Sequence, residues 1–269
     1  MRITEYQAIT SFTDDNVFVV DGAAGTKKVS VTDAVLAALH LISTDNHRNI
    51  IRGKNLGTSV TSTQINAVKD GSFTDLWLGD YWTINGVNWR IVDMDYWYNT
   101  GDTPLTSHHL VIMPDKNLYT AKMNDTAVTT GAYVGSQMYT TNLANAKSTI
   151  TNAFGSYVLN RREYLTNAVT GYYASAGAWT DTTVDIPNEI QMFGSYIHTL
   201  SGVDVKRYTI DKSQIALFAK CPKYVNIGSA YWLRDVTSSS TFANVGYYGS
   251  AQTSKSLTEN GVRPIFAIG

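Results

Sequence analysis

The chain has a single cysteine, Cys221, among its 269 residues. One cysteine excludes a disulfide framework within the chain and a zinc site built from cysteines. The simplest interpretation of Cys221 is a small buried thiol. A chain of this length buries enough apolar surface to fold without such links, as one large domain or as one domain with a small appendage.

An excess of charge of either sign is also missing, because 21 Lys and Arg residues stand against 22 Asp and Glu residues. Nucleic acids and anionic membranes favour a basic field, so we expect neither as a partner. Charged residues make up only 16% of the chain, below the ~25% usual for soluble domains. Ser, Thr, Asn and Tyr must therefore cover much of the surface, which is typical of β-rich proteins.

Long apolar runs are absent as well. No window approaches the roughly 18 apolar residues of a membrane span. The first residues, "MRITEYQAITSFTDD", contain no apolar run after the basic residue and do not predict a secretory signal. We expect no membrane insertion and synthesis in a cytoplasm.

Residues 1 to about 45 predict a small ββα module. In "NVFVVDGAAGTKKVSV" β-branched residues flank Gly22 and Gly25, which indicates two strands joined by a turn. The following "VTDAVLAALHLI" has helical spacing with an N-cap at Thr32 or Asp33. Such a module is too small to bury much core of its own.

The remainder, residues 46–269, predicts an α+β fold. Helices are expected from Ser62 or Thr63 to Gly71, and over the apolar positions Leu143, Ala146, Ile150, Phe154 and Val158. Asn85-Gly86 is the strongest hairpin signal, and "HHLVIMPD" and "RPIFAIG" read as strands. Residues 161–197 are expected to form long structured loops. The sum is two helices beside a twisted antiparallel sheet.

Catalytic and metal-binding patterns are weak. No G-x-S-x-G is present, and Cys221 precedes a proline with no base beside it. His108 and His109 would point to opposite faces of a strand. A calcium site from Asp80, Asp93 and Asp95 lacks its loop motif, so a solvated face is favoured. We expect no enzyme, no cofactor and no metal.

The segment from Tyr231 to Pro264 combines two rigid ends with a polar middle. The ends are "YWLR" and "GVRP", and the middle is almost wholly Ser, Thr, Asn, Gly, Tyr and Ala. Binding loops favour this mixture, because tyrosine gives large contacts with few rotors while small polar residues adapt their hydrogen bonds. The alternative is a polar hairpin whose aromatic side chains cover the sheet. Arg234 and Arg263 are interpreted as structural residues that bind loop carbonyls or a carboxylate.

The order of several motifs resembles a known family. The motifs are "GDYWTINGVNWRIVDMDYW", "HHLVIMPD", "MNDT", "GAYVGSQM", "NEIQMFG", "YWLRD" and "GVRPIFAIG". Together they resemble the phage virion proteins that form head or tail fibres and carry a C-type-lectin-like C-terminal domain, and the lectin-fold domains that include retroelement-diversified tropism determinants. The resemblance covers residues 46–269, while residues 1–45 look like the attachment modules of phage structural proteins.

The resemblance implies a scaffold that displays a ligand-binding face between two framework motifs. The framework would be Trp232, Arg234, Gly261, Arg263 and Pro264. The resemblance and the composition of the segment together indicate the candidate ligand-binding residues. They are Asp235, Thr237, Ser239, Thr241, Phe242, Asn244, Tyr247, Tyr248 and Gln252. Ile186 stands in "DIPNEI" where a calcium lectin has an acidic or amide residue, so calcium-dependent sugar binding is not expected.

The same resemblance implies a virion protein made in the cytoplasm of a bacterial host. Its N-terminal module would bind other virion proteins, and its lectin-like domain would bind a bacterial surface protein or glycan. A homo-oligomer is the expected assembly, with a trimer favoured because homotrimers are common among the tropism determinants. Two alternatives stay open: a capsid or baseplate decoration protein with a purely structural role, and an enzyme that acts on envelope polysaccharide.

Overall fold

The computed structural model describes residues 17–22, 25–30, 47–199 and 213–269. The chain divides into two compact units, Met1–His47 and Arg48–Gly269. In the first unit, strands β1 (Val17–Gly22) and β2 (Gly25–Ser30) pair antiparallel, with Gly22 opposite Gly25. These are the two strands predicted there. The helix predicted from Thr32 or Asp33 lies outside the described residues.

The described part of the second unit consists mostly of strands. They are β3 (Tyr81–Ile84), β4 (Val87–Met94), β5 (Leu110–Pro114), β6 (Tyr119–Ala121), β7 (Arg161–Thr170), β8 (Tyr173–Thr182), β9 (Val184–Asp185), β10 (Tyr231–Val236), β11 (Thr241–Val245), β12 (Ala251–Lys255), β13 (Asn260–Val262) and β14 (Ile265–Ile268). The α-helices are α1 (Ser62–Lys69), α2 (Leu143–Phe154), α3 (Glu189–Phe193) and α4 (Ala216–Lys220). The fold class is therefore α+β.

The strands form two five-stranded sheets and one two-stranded sheet. The first sheet has the order β3-β4-β5-β14-β9, the second has the order β12-β11-β10-β13-β6, and β7 pairs with β8. The second sheet is not wholly antiparallel as predicted, because β10 and β13 run parallel with Tyr231 opposite Gly261. A parallel neighbour needs a long connection, and the intervening hairpin of β11 and β12 provides it.

The core lies on both faces of the first sheet. Ile112 and Phe266 pack into one hydrophobic cluster, whereas Val111 and Ala267 pack into another. Neighbouring residues of a strand point to opposite faces, so each central strand contributes to both clusters. Strand β10 does the same, since Trp232 belongs to the first cluster and Leu233 to the second.

Both helices predicted for this unit are confirmed. Helix α1 begins after Thr61, whose side chain accepts a hydrogen bond from the backbone of Gln64 while the Gln64 side chain accepts one from the backbone of Thr61. This reciprocal pair is the capping box. Helix α2 buries its four predicted apolar residues up to Phe154. Val158 lies beyond the helix and forms a bridge with Ile268 instead.

The hairpin predicted at Asn85-Gly86 is confirmed. Both residues have positive φ, at 51° and 78°, which is the backbone of the turn that matches the twist of paired strands. The hairpin places Trp82 opposite Trp89, and both indoles are fully buried.

The prediction of loops over residues 161–197 is wrong for β7 and β8, which form a hairpin of two ten-residue strands. Its register shifts near Ala168, so the alternation that marks a strand is broken. Strand β8 is rich in Ala and Gly, which favour strands poorly. Because of these two features, the sequence pattern does not predict the hairpin.

Two further findings concern the whole described part. Cys221 is half-buried and free, so the predicted buried thiol is partly exposed. None of the described helices combines the length and the apolar character that a membrane span requires.

Candidate functional site

The segment between the two framework motifs builds a sheet instead of a loop. Strands β10, β11 and β12 are consecutive antiparallel neighbours at one side of the second sheet. All six residues of β10 are buried, as are the last four of β11. Nearly half of the segment from Tyr231 to Pro264 is therefore buried, and only its remaining residues are open to a ligand.

This burial corrects the ligand-binding prediction for three residues. Phe242 is fully buried in the hydrophobic cluster of Trp232. Asn244 is buried on β11 and accepts a hydrogen bond from Ser254 Oγ at 3.2 Å. Asp235 is buried on β10 and accepts a hydrogen bond from the backbone of Glu189 at 2.6 Å. None of the three side chains is exposed on the surface where a ligand could contact it.

The framework residues lie buried around this sheet. Trp232 Nε1 donates to the carbonyl oxygen of Ala121 at 2.8 Å. The guanidinium of Arg263 donates to the carbonyl oxygens of Pro114 at 2.9 Å and Tyr224 at 3.1 Å, and Pro264 is buried beside it. Arg263 thereby joins the end of β5 to the chain that leads into β10.

Arg234 belongs to a buried ionic cluster. Its Nη2 lies 3.2 Å from Glu163 Oε2, and Arg161 binds both Glu163 and Asp185 at 3.2 Å. Burial raises the pKa of the Asp185 carboxyl above its ordinary value, although Arg161 opposes the shift. The cluster joins β7, β9 and β10 inside the protein, so it positions β10 and contacts no external ligand.

The most exposed aromatic residues of the segment lie in the turn between β11 and β12. Tyr247 and Tyr248 are 59% and 83% exposed, and their rings meet edge to face at 5.0 Å. The backbone of Gly249 donates to the carbonyl of Gly246 at 2.9 Å, and Gly249 has a φ of 83°. The turn holds two aromatic side chains in solvent on a hydrogen-bonded backbone.

Gln252 extends the same surface. It is exposed on β12, and a Cβ on Gly246 would come within 2.5 Å of its Cδ. The amide group therefore lies directly over the beginning of the turn. A side chain at residue 246 would require the Gln252 amide to move.

The remaining predicted residues lie at the other end of β11. Thr237 and Thr241 share a hydroxyl contact of 2.7 Å, and the carbonyl oxygen of Ser239 accepts from the backbone of Thr129 at 3.1 Å. A five-residue strand separates this end from Tyr247 by about 17 Å. The structure thus divides the predicted site and places only Tyr247, Tyr248 and Gln252 together.

Two neighbouring loops also contribute to this surface, and the sequence analysis did not indicate either of them. Asn226 packs against Gly249, and His198 Nε2 lies 3.2 Å from the carbonyl oxygen of Ala251. Ile197, next to His198, is an exposed large hydrophobic residue. We name the surface of Ile197, Asn226, Tyr247, Tyr248 and Gln252 the turn surface.

The loop of Ile197 is held by one buried carboxylate. Glu189 Oε2 accepts the backbone N–H groups of Ile197 at 3.2 Å and Thr199 at 3.0 Å, and Glu189 Oε1 accepts that of His198 at 3.0 Å. An ionised carboxylate can accept several hydrogen bonds. Asn188 and Gln191 form a capping box at the start of α3, and this Asn-x-x-Gln pair is the sequence signal that could have revealed the anchor.

The turn surface carries no charge of its own. Residues 246–254 are "GYYGSAQTS", and the first charged residue beyond them is Lys255. Contacts with a ligand must therefore come from aromatic faces, amide groups and hydroxyls.

The carboxylates considered for calcium already have protein partners. Arg52 binds Asp80, Arg48 binds Asp93, and His108 binds Asp95. Within residues 17–22, 25–30, 47–199 and 213–269, no group of three His, Cys, Asp or Glu side chains is arranged to hold a metal ion.

Comparison with known proteins adds no relative. No protein-family model, no curated protein and no solved structure matches the chain.

Proposed function

We propose that the chain is a phage virion protein, a head or tail fibre subunit, whose second unit is a C-type-lectin-like domain that binds the surface of the bacterial host through the turn surface. The order of the sequence motifs supports the family. The α+β architecture, dominated by strands, is compatible with it. The observation that carries the function is the pair Tyr247 and Tyr248, held in solvent on a tight turn that follows the buried end of β11 and leads into β12.

The physical argument rests on preorganisation. Aromatic residues are the commonest anchors of binding surfaces, and a ligand need not order a backbone that hydrogen bonds already fix. Here the turn is closed by two backbone bonds between Gly246 and its neighbours, at 2.8 and 2.9 Å. Binding through these rings therefore costs little backbone conformational entropy.

A single small surface of this kind binds weakly, so we propose a homo-oligomer, a trimer by analogy with the tropism determinants. Several copies on one particle raise the effective concentration of the remaining sites after the first contact. The first unit, with its hairpin of β1 and β2, attaches the subunit to other virion proteins in this proposal.

Binding of purified protein to bacterial cells tests the function. Tyr247→Ala with Tyr248→Ala removes both rings, and Val128→Ala with Leu257→Ala is the control because it removes two exposed apolar side chains outside the turn surface. Labelled wild-type protein and the control should bind cells of a susceptible strain equally, while the first variant should bind at least tenfold more weakly. Equal binding by all three proteins, or no binding of wild type to any strain of a broad panel, contradicts the proposal.

The second candidate is a capsid or baseplate decoration protein. The exposed Tyr247 and Tyr248 also suit a contact with a neighbouring virion subunit, and this observation favours the second candidate. In that case the variant lacking both rings would fail to join particles, whereas in the host-binding proposal it joins them normally and adsorbs poorly.

A further inference from the structure

Strand β8 has an edge that no other described strand covers. Among the described strands it pairs only with β7, and the outer edge of β7 is covered by hydrogen bonds from Val134 to Thr166 and from Val169 to Thr130. No backbone hydrogen bond joins the outer edge of β8 to the rest of the described chain. Open edges are normally protected by lysine, proline or inward charges, because they pair with other chains. Between Tyr173 and Thr180 the sequence has none of these, and the protection along this stretch is limited to the register shift between Ala174 and Ala176.

The side chains along this edge permit close approach. Residues 174–178 are Ala, Ser, Ala, Gly and Ala. No charged residue occurs before Asp181, so a second copy of β8 running antiparallel would place no like charges opposite each other. The edge is therefore compatible with itself.

One end of β8 carries an exposed aromatic tip. Tyr172 in the turn and Tyr173 at the start of the strand are 65% and 44% exposed. They are separate from the turn surface, since they belong to the two-stranded sheet of β7 and β8. Large exposed aromatic side chains next to an unprotected edge indicate a contact surface.

The other end of β8 borders a cleft. The cleft has a volume of about 360 Å³, and its walls include Pro104, Leu105, Arg162 and Asp181. This volume lies within the range of small-ligand sites. Two residues of its wall are apolar, the other five are polar or charged, and one of these is Arg162, whose flat guanidinium face suits an aromatic ring.

The guanidinium of Arg162 is fixed in place. Its Nε and Nη2 bind both oxygens of Asp102 at 2.8 and 2.7 Å, and its Nη1 lies 3.4 Å from Asp181. The side chain is still 26% exposed. Its charge is balanced by two carboxylates, so the cleft suits a neutral aromatic side chain better than an anion.

The tip and the cleft are spaced to complement each other. Tyr173 and Asp181 are eight residues apart, or roughly 26 Å along a strand, with Gly177 midway between them. A two-fold antiparallel pairing of β8 with a second β8 about Gly177 places each Tyr173 opposite Asp181 of the partner subunit. Each aromatic tip then reaches the cleft of the other copy, as a self-complementary contact requires.

We propose that two copies of this chain associate edge to edge through β8, with the tyrosine tip of each in the cleft of the other. The hairpins then form one continuous four-stranded sheet. The contact uses neither Tyr247 nor Tyr248, so it is tested separately from the host-binding proposal. It joins subunits in pairs, in addition to any three-fold contact made elsewhere in the chain.

Sedimentation of the full-length chain over a dilution series tests the association. Tyr172→Ala with Tyr173→Ala should raise the dissociation constant of the pairing roughly thirtyfold or more, as expected when aromatic anchors are removed. Ala178→Lys, which protects the edge with a charge, should act in the same direction. Tyr247→Ala with Tyr248→Ala is the control and should sediment like wild type. Identical profiles for wild type and the two edge variants would refute the proposal.

Disulfide trapping tests the register. In a Cys221→Ser background, Ala176→Cys and Ala178→Cys are made in separate chains, because residue 176 faces 178 of the partner subunit in the pairing about Gly177. Directly opposite residues have Cα atoms within the range a disulfide spans, whereas diagonal ones lie too far apart. Under mild oxidation the mixture should give a cross-linked pair and each variant alone should not. Failure of the mixture, or equal cross-linking of each variant alone, contradicts the pairing.

Discussion

Gly261 lies directly under the side chain of Asn117, so close that a Cβ on residue 261 would be 1.9 Å from Asn117 Nδ2. Asn117 is fixed there by hydrogen bonds to Ser229 Oγ at 2.9 Å and to the carbonyl of Ala230 at 3.1 Å. The same Ala230 carbonyl accepts the backbone N–H of Gly261 at 3.0 Å. This contact fixes the parallel register of β10 and β13.

Gly261→Ala should therefore destabilise the protein by about 2–3 kcal/mol, the usual cost of overpacking a closed site. The free energy of unfolding in urea measures it. In an Asn117→Ala background, which removes the clashing group, the additional cost of Gly261→Ala should be much smaller. An equal cost in both backgrounds would show that the Asn117 contact is not the reason for glycine.

Glu189→Gln should release the loop of Ile197. A glutamine side chain has one acceptor oxygen and cannot accept the three backbone N–H groups that bind the carboxylate. Amide hydrogen exchange at residues 197–199 should become about 10–100 times faster, since hydrogen bonds to a charged group contribute about 1.5–3 kcal/mol. Exchange at residues 247–249 serves as the internal reference and should change little.

Asp185→Asn should change how stability depends on pH. The ordinary pKa of the aspartate is 3.8, and burial raises it in the folded protein. Between these two pKa values the folded state binds the proton more strongly than the unfolded state, so wild-type stability falls as pH rises through this window. The variant cannot ionise there.

The unfolding free energy of Asp185→Asn relative to wild type should consequently increase from about pH 4 upward. Parallel stability curves for the two proteins would contradict the raised pKa. A relative decrease would show that attraction to Arg161 outweighs burial.

Binding through the turn surface should depend little on salt. Residues 246–254 carry no charge, and salt weakens chiefly interactions between charged groups. Raising sodium chloride from 50 to 500 mM should change the affinity of wild-type protein for cells less than about threefold. A loss of tenfold or more would place the binding energy in charged residues outside the turn surface.

Local patterns predicted the local elements correctly. The Asn85-Gly86 turn, the apolar spacing of α2 and the helix closed near Gly71 each depend on neighbouring residues, and the structure has all three. The hairpin of β7 and β8 was missed, because its alternation is interrupted at Asn167 and its second strand is built from small residues. Its stability comes from packing and pairing that the sequence does not display.

The candidate site was predicted in part. Exposed tyrosines in a polar segment were expected, and Tyr247 and Tyr248 are exposed. Composition could not distinguish them from Phe242, because the difference depends on which residues of the hairpin lie on a buried strand and which in the turn. The role of Glu189 was hidden for another reason: its partners are backbone groups of residues 197–199, and backbone groups leave no mark in a sequence.

An electron cryomicroscopy map of the intact phage particle, with this subunit traced, tests the central claim most directly. The account predicts that the first unit contacts other virion proteins and that Tyr247 and Tyr248 point away from the particle with no protein against them. Both rings packed against a neighbouring subunit, or a particle that lacks this chain, would contradict the account.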